Sequence, residues 1–203
     1  MKKNPVTRPF IIIISILSLG FLVTNCRYHV KVNPEINYWG DGFKKNKQIL
    51  IVMDKEKQNL IRSAGSVGLM ANFKFYLGQS LLKMLINTLT PYFTKVEIAE
   101  KIPSESLGPE YLILIPEFNF FHLNTNIKPQ VGIEVKIFDG VKNLLFQKKY
   151  VNKSFLSPQE ESKIFFFAGT DTDQVADEFK LALETIAYDL LEDMTNRDWN
   201  RKQ

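Results

Sequence analysis

An apolar run near the N-terminus constrains this chain before any other feature does. Residues 1–9 are polar and carry Lys2, Lys3 and Arg8; residues 10–23 then pass through Ile11, Ile12, Ile13, Ile14, Ile16, Leu17, Leu19, Phe21 and Leu22 without a charge. A helix rising ~1.5 Å per residue over that stretch covers only about two-thirds of a ~30 Å hydrocarbon core, which is short for a permanent span. A basic leader followed by a short apolar segment is the pattern of a secretory signal peptide, so residues 1–25 are expected to be removed rather than folded. What remains is the size of one domain with a real hydrophobic core.

Removing that leader changes the reading of the charge. The 203-residue chain carries a formal net charge of +4, but Lys2, Lys3 and Arg8 go with the leader and leave the mature chain close to neutral. The basic balance is therefore no electrostatic footprint for nucleic acid, and no nucleic-acid partner is expected. Hydrophobic residues make up 45% of the sequence and the charges are spread rather than blocked, as in a folded domain. With one cysteine in the chain, neither an intramolecular disulfide nor a cysteine-based metal cluster can form.

That cysteine stands directly after the apolar run, in Leu22-Val23-Thr24-Asn25-Cys26. The stretch resembles the lipobox of bacterial lipoproteins: an aliphatic residue three before the cysteine, a short residue before it, then the thiol that receives a diacylglycerol. Asn25 stands where Gly, Ala or Ser is usual. Each buried methylene contributes about 0.8 kcal/mol, so two or three acyl chains hold a soluble domain on a bilayer where one chain does not. The resemblance implies Cys26 as the lipidation site and a membrane partner through N-terminal acyl chains. The bland alternative is an ordinary small residue after an uncleaved anchor or a conventional cleavage.

Residues 26–47 are polar and broken by Pro34, Trp39-Gly40 and Asp41-Gly42, and read as a tether or an extended lead-in. Lys44, Lys45 and Lys47 would lie between anchor and domain, where basic side chains can touch anionic headgroups or simply be solvated. Residues 48–203 are expected to form a single domain. Residues 48–53 (QILIVM) read as a buried strand and residues 54–68 as a loop. Phe73, Leu77, Leu81, Met84, Leu85 and Leu89 recur at spacings of three and four, so a helix is expected over 72–92, with Pro91 supporting its end. Residues 94–99 alternate like a strand with Val96 and Ile98 inward, and residues 111–115 are apolar on both faces, as in a central strand. Pro116 implies a bulge or an edge. Val131, Ile133, Val135 and Ile137, then Leu144, Phe146 and Tyr150, flank Asp139-Gly140 in the manner of a β-hairpin with a loop slightly longer than two residues.

Residues 164–167 (IFFF) read as either a last strand or a greasy loop. A C-terminal helix is clearer: Asp171, Thr172 and Asp173 offer N-caps, and Val175, Phe179, Ala182, Ile186, Leu190 and Met194 form one stripe. The expected fold class is α+β, two helices packed on one face of a mainly antiparallel sheet of four or five strands.

Catalytic patterns are thin. His29 and His122 stand apart, and neither an HExxH nor a GxSxG is present. Residues 63–68 (SAGSVG) lack the Lys-Ser/Thr of a phosphate loop, and Asp171, Asp173, Asp177 and Glu178 lack the glycine and terminal Glu of a calcium loop. No enzyme, cofactor or metal site is expected. Phe118, Phe120, Phe121, Phe165, Phe166 and Phe167 exceed what one strand face can bury, so they form either a thick core or an exposed groove for a lipid or protein.

The order of lipobox cysteine, tether, strand, helix, several strands and long amphipathic helix is similar to small envelope lipoproteins, in particular the LptE-type lipopolysaccharide-assembly lipoproteins. The local likeness lies in residues 131–139 (VGIEVKIFD), the hairpin, and residues 176–191 (ADEFKLALETIAYDLL). It covers most of the mature chain through order and hydrophobicity; auxiliary lipoproteins of ABC-type lipid transporters share a related layout. The resemblance implies a non-catalytic, outer-membrane, periplasm-facing subunit that supports envelope-lipid assembly or transport through a partner such as an outer-membrane β-barrel. Lys136, Lys148 and Lys149 are then candidates to meet lipid phosphate, and Phe165, Phe166 and Phe167 to line a ligand groove. The alternative is a surface-exposed lipoprotein that binds host or environmental ligands.

Overall fold

A computed structural model describes residues 27–35, 45–65, 72–123, 128–152 and 172–199. Its strands are β1 (Arg27–Val30), β2 (Lys45–Val52), β3 (Arg62–Gly65), β4 (Asn72–Phe75), β5 (Phe93–Ala99), β6 (Tyr111–Leu123), β7 (Pro129–Asp139) and β8 (Leu144–Val151). Its helices are α1 (Lys55–Gln58), α2 (Leu77–Leu89) and α3 (Thr172–Asn196). The strands form a five-stranded sheet in the order β5-β2-β6-β7-β8 and a three-stranded sheet in the order β1-β4-β3.

The fold is α+β, the class expected from the sequence. In the large sheet the ladders β6–β7 and β7–β8 are antiparallel and the longest, while β2 has a parallel neighbour on each side. Parallel pairing needs crossovers that cover the sheet. The chain from β2 to β5 carries α2 on one face; the chain from β5 to β6 runs through residues 100–110, where the Leu107 N–H donates to the Gly140 carbonyl at 2.8 Å. Leu107 packs on a small second cluster of Leu50, Val52 and Ile113, whereas Ile49, Ile51, Leu112 and Leu114 enter the main core. Burial on both faces explains the unbroken apolar runs of β2 and β6.

The main core lies between the large sheet and α2 and α3. Leu77, Leu81, Met84, Leu85 and Leu89 of α2 are buried, as are Val175, Phe179, Ala182, Ile186, Leu190 and Met194 of α3. Leu183, Ala187 and Leu191 widen the α3 stripe. Opposite them, Val131, Ile133, Val135 and Ile137 are all within 1% of complete burial.

β6 changes its inward parity partway along. Phe118 pairs with Ile133 but Phe120 pairs with Gly132, so Asn119 is the extra residue of a β-bulge. Beyond it Phe121 turns inward, its ring 4.6 Å from Phe75 and 5.9 Å from Phe179, while Phe120 stays 42% exposed over Gly132. Phe75 and Phe179 meet edge-on at 5.4 Å, and this aromatic trio joins the small sheet, β6 and α3. The excess of phenylalanine around 118–121 is thus divided between core and surface by one bulge. Pro116 lies where β6 has outrun its ladder with β2, which ends at Leu114, so the expected edge is there.

Several expectations are corrected. Of the tether and the extended lead-in, residues 27–34 take the second form and pack: they hold β1, whose Val30 is buried together with Val32 and Pro34. The loop expected at 54–68 holds α1, capped by the Asp54 carboxylate accepting from the Lys57 N–H at 2.8 Å, and β3, antiparallel to β4. Phe73 belongs to strand β4 rather than to α2, because residues 72–75 alternate and find partners on β1 and β3. Ile98 is 46% exposed on the edge strand β5, whose buried anchor is Phe93. The hairpin is as expected: the Asp139 carboxylate accepts from the Val141 and Asn143 N–H groups, and Lys142 adopts a φ of 71°. Residues 164–167 and the cap candidate Asp171 lie outside the described residues.

Candidate functional site

Of the residues singled out from the sequence, Cys26, Phe165, Phe166 and Phe167 lie outside the described residues. Lys136, Lys148 and Lys149 are placed, and they do not converge. Lys148 is opposite Val135 in the ladder and reaches α3, where its ammonium donates to the Asp193 carboxylate at 2.6 Å. Lys149 is opposite Glu134, and Lys136 alternates with the buried Val135 and Ile137, so both belong to the other face of the sheet. A phosphate site built from the three is therefore not formed: neighbouring residues of a strand point to opposite sides.

Around Lys148 a compact polar and aromatic cluster fastens β8 to the end of α3. The Tyr150 hydroxyl donates to the same Asp193 oxygen at 2.7 Å, and Lys148 Nζ lies 5.0 Å from the Tyr150 ring centre. Burial, reinforced by the Asp193 carboxylate, pushes the Tyr150 phenol far above the ordinary tyrosine range. Its proton is held, which suits a fixed donor and not a general base. The Arg197 guanidinium stacks 4.7 Å over Phe146 and 5.7 Å from Trp199, and the Trp199 indole N–H donates to the Met194 carbonyl at 2.8 Å, capping α3. Glu192, Asp193, Asn196 and Arg197 line an open depression of about 470 Å³. With Asp193 already accepting from two donors, the cluster acts as a clasp between strand and helix.

A second constellation lies on the small sheet, whose first strand begins at Arg27. β1 runs parallel to β4 with His29 opposite Lys74 and Val30 opposite Phe75. Phe73, Phe75 and Val30 take the core side, so His29 and Lys74 take the outer one. His29 Nδ1 is 2.7 Å from the Tyr76 hydroxyl, the two rings are 5.8 Å apart, and Lys31 Nζ sits 4.5 Å over the Tyr76 ring. Ser63 of β3 faces Lys74 in register and extends the same face. Among the described residues neither Lys31 nor Lys74 has a carboxylate within 4 Å, whereas Lys55, Lys57, Lys95, Lys148 and Lys180 each do.

No face was expected here, since residues 26–47 read as a tether or extended lead-in. Tyr28, Val30 and Val32 alternate with His29 and Lys31, and that period-two signal was available. Of the basic residues at 44–47, Lys44 lies outside the described residues, Lys45 opens β2, and Lys47 donates to the Pro109 carbonyl at 2.7 Å. Among the described residues no three His, Cys, Asp or Glu side chains are grouped to hold a metal ion, and no helix is long and apolar enough to cross a membrane.

No family model matches the chain, and no curated protein matches it. Solved structures with a similar chain path include a Xanthomonas campestris protein of the DUF330 family model, 12% identical, with 81% of this chain and 91% of that one covered and a TM-score of 0.49. Another is a PelC dodecamer from Paraburkholderia phytofirmans, 11% identical over 77% of this chain and 95% of that one, with a TM-score of 0.34.

Proposed function

We propose that the protein is a non-catalytic lipoprotein, acylated at Cys26 and held on the periplasmic side of the outer membrane, that supports assembly or transport of an envelope lipid through a partner complex. The observation that carries the proposal is the position of the one cysteine, directly after a basic leader and a 14-residue apolar run that falls short of a bilayer's thickness. A supporting observation is that β1 begins at Arg27, the next residue. Acyl chains on Cys26 would hold the folded domain against the bilayer surface with no spacer. The lipid-assembly role rests on the resemblance to LptE-type lipoproteins in element order.

Metabolic labelling with a palmitate analogue tests the anchor. The wild-type protein should carry the label and sediment with membranes, and Cys26→Ala should lose both. Affinity capture of the full-length protein from detergent-solubilised membranes should retain an outer-membrane β-barrel protein or an envelope lipid. An unlabelled wild-type protein still beginning at Met1 would overturn the anchoring, and capture of neither would overturn the assembly role.

A further inference from the structure

We infer that the outer face of the three-stranded sheet, formed by His29, Lys31, Lys74 and Tyr76, is a docking surface for anionic lipid headgroups, so that the domain lies on the bilayer in one fixed orientation. The inference rests on the acylation of Cys26 and adds to it which face the anchor presents.

Three observations converge. First, the face is cationic: it carries Lys31 and Lys74, neither of which has a carboxylate within 4 Å among the described residues. Second, it is built to stay in place. Lys31 is held over the Tyr76 ring at 4.5 Å, and the Tyr76 hydroxyl is tied to His29 at 2.7 Å, so the side chains are organised before any ligand arrives. The core side of the same sheet is fixed by Val30, Phe73 and Phe75, each no more than 1% exposed. Third, its place in the chain determines what it meets. β1 begins one residue after Cys26, so acyl chains entering a bilayer from that residue bring the start of β1 to headgroup level. Amphipathic rings and lysines are the side chains suited to that zone, rings at the interface and ammonium groups against phosphate. The occupant fitting this charge and position is a bilayer surface rich in anionic phospholipid.

Each lysine near such a surface favours docking by about five-fold, and the two together by about twenty-five-fold. The test uses the processed, acylated, full-length product purified from membranes and reconstituted on vesicles of phosphatidylcholine alone or with one-third phosphatidylglycerol. Hydroxyl-radical footprinting then reads side-chain oxidation. His29 and Tyr76 should be oxidised several-fold more slowly on the phosphatidylglycerol vesicles, with Tyr188 of α3 unchanged as the internal control. Salt near 1 M, where the Debye length is about 3 Å, should abolish the difference. The double variant K31E/K74E should float with the vesicles as the wild type does, yet show no lipid-dependent protection. An acylated protein that floats but is oxidised equally on both vesicles would overturn the docking face and leave the anchor intact. Protection found only in whole membranes would assign the face to a protein and overturn it too. A product without acyl mass that fails to float would remove the anchor and this inference together.

Discussion

Replacing Gly78 with alanine should destabilise the fold, although helix propensity alone favours the change by about 1 kcal/mol. Gly78 is in the first turn of α2, and a methyl there would lie 2.0 Å from the Lys57 carbonyl oxygen and 2.4 Å from that of Gln58. Both atoms belong to the backbone of α1, so no side chain can swing away, and the 2.0 Å separation must open to at least 3.0 Å. That movement strains the 3.1 Å bond from the Gly78 N–H to the Leu60 carbonyl, worth about 1 kcal/mol, and adds an overpacking cost of about 1–3 kcal/mol. The propensity gain offsets about one of these. The net expectation is a loss of about 1–3 kcal/mol, seen as a lower urea midpoint and a Tm reduced by roughly 2–12 °C. Gly132→Ala is the matched control. The three atoms nearest its methyl all belong to the Phe120 side chain, the closest at 2.3 Å, and Phe120 is 42% exposed, so a side chain rather than backbone must give way. Since alanine in a strand interior is favoured over glycine by about 0.5–1 kcal/mol, this variant should stay within about 0.5 kcal/mol of wild type. Equal losses in the two variants, or a neutral Gly78→Ala with unchanged circular dichroism, would refute the distinction between backbone and side-chain obstruction.

Two further outcomes follow from titration. Because the Tyr150 phenol is held far above its ordinary value of 10.0, the unfolded chain releases that proton first, so its contribution to stability is present below pH 10 and falls as the pH rises beyond it. Ultraviolet titration of the native protein should leave one tyrosine un-ionised until alkaline unfolding, and Tyr150→Phe should remove that late component; a Tyr150 that ionises with the exposed tyrosines would contradict its burial. Glu117 has the opposite sign: the Lys57 ammonium, 2.6 Å away, holds its carboxyl below the ordinary 4.5, so its stabilisation is present above that value and is lost as the pH falls through the folded-state pKa. Both side chains are about two-fifths exposed (41% and 40%), so Glu117→Gln should cost only about 0.3–0.5 kcal/mol in urea melts at pH 7, shrinking as the pH drops below 4.5.

Burial imprints a pattern on a residue's near neighbours, and that much can be read from the chain alone. The stripes of α2 and α3, the two-faced apolar run 111–115 and the alternation 131–137 follow from period alone, because a helix or strand repeats its environment every 3.6 or 2 residues. They suffice for the α+β class. Where the partners of each segment lie depends on the folded arrangement. β1 carries a short period-two alternation, but its ladder depends on β4, some forty residues on, and Phe73 fits a helical spacing until β1 and β3 claim residues 72–75 for a sheet. The bulge at Asn119 is silent in the pattern because it alters which face follows, not which residues are apolar. The sites divide the same way. Alternation separates Lys148 from Lys149, but nothing local foretells that Asp193 would claim Lys148 or that Lys31 would rest on Tyr76, since the energy of each contact depends on two segments that only folding brings together.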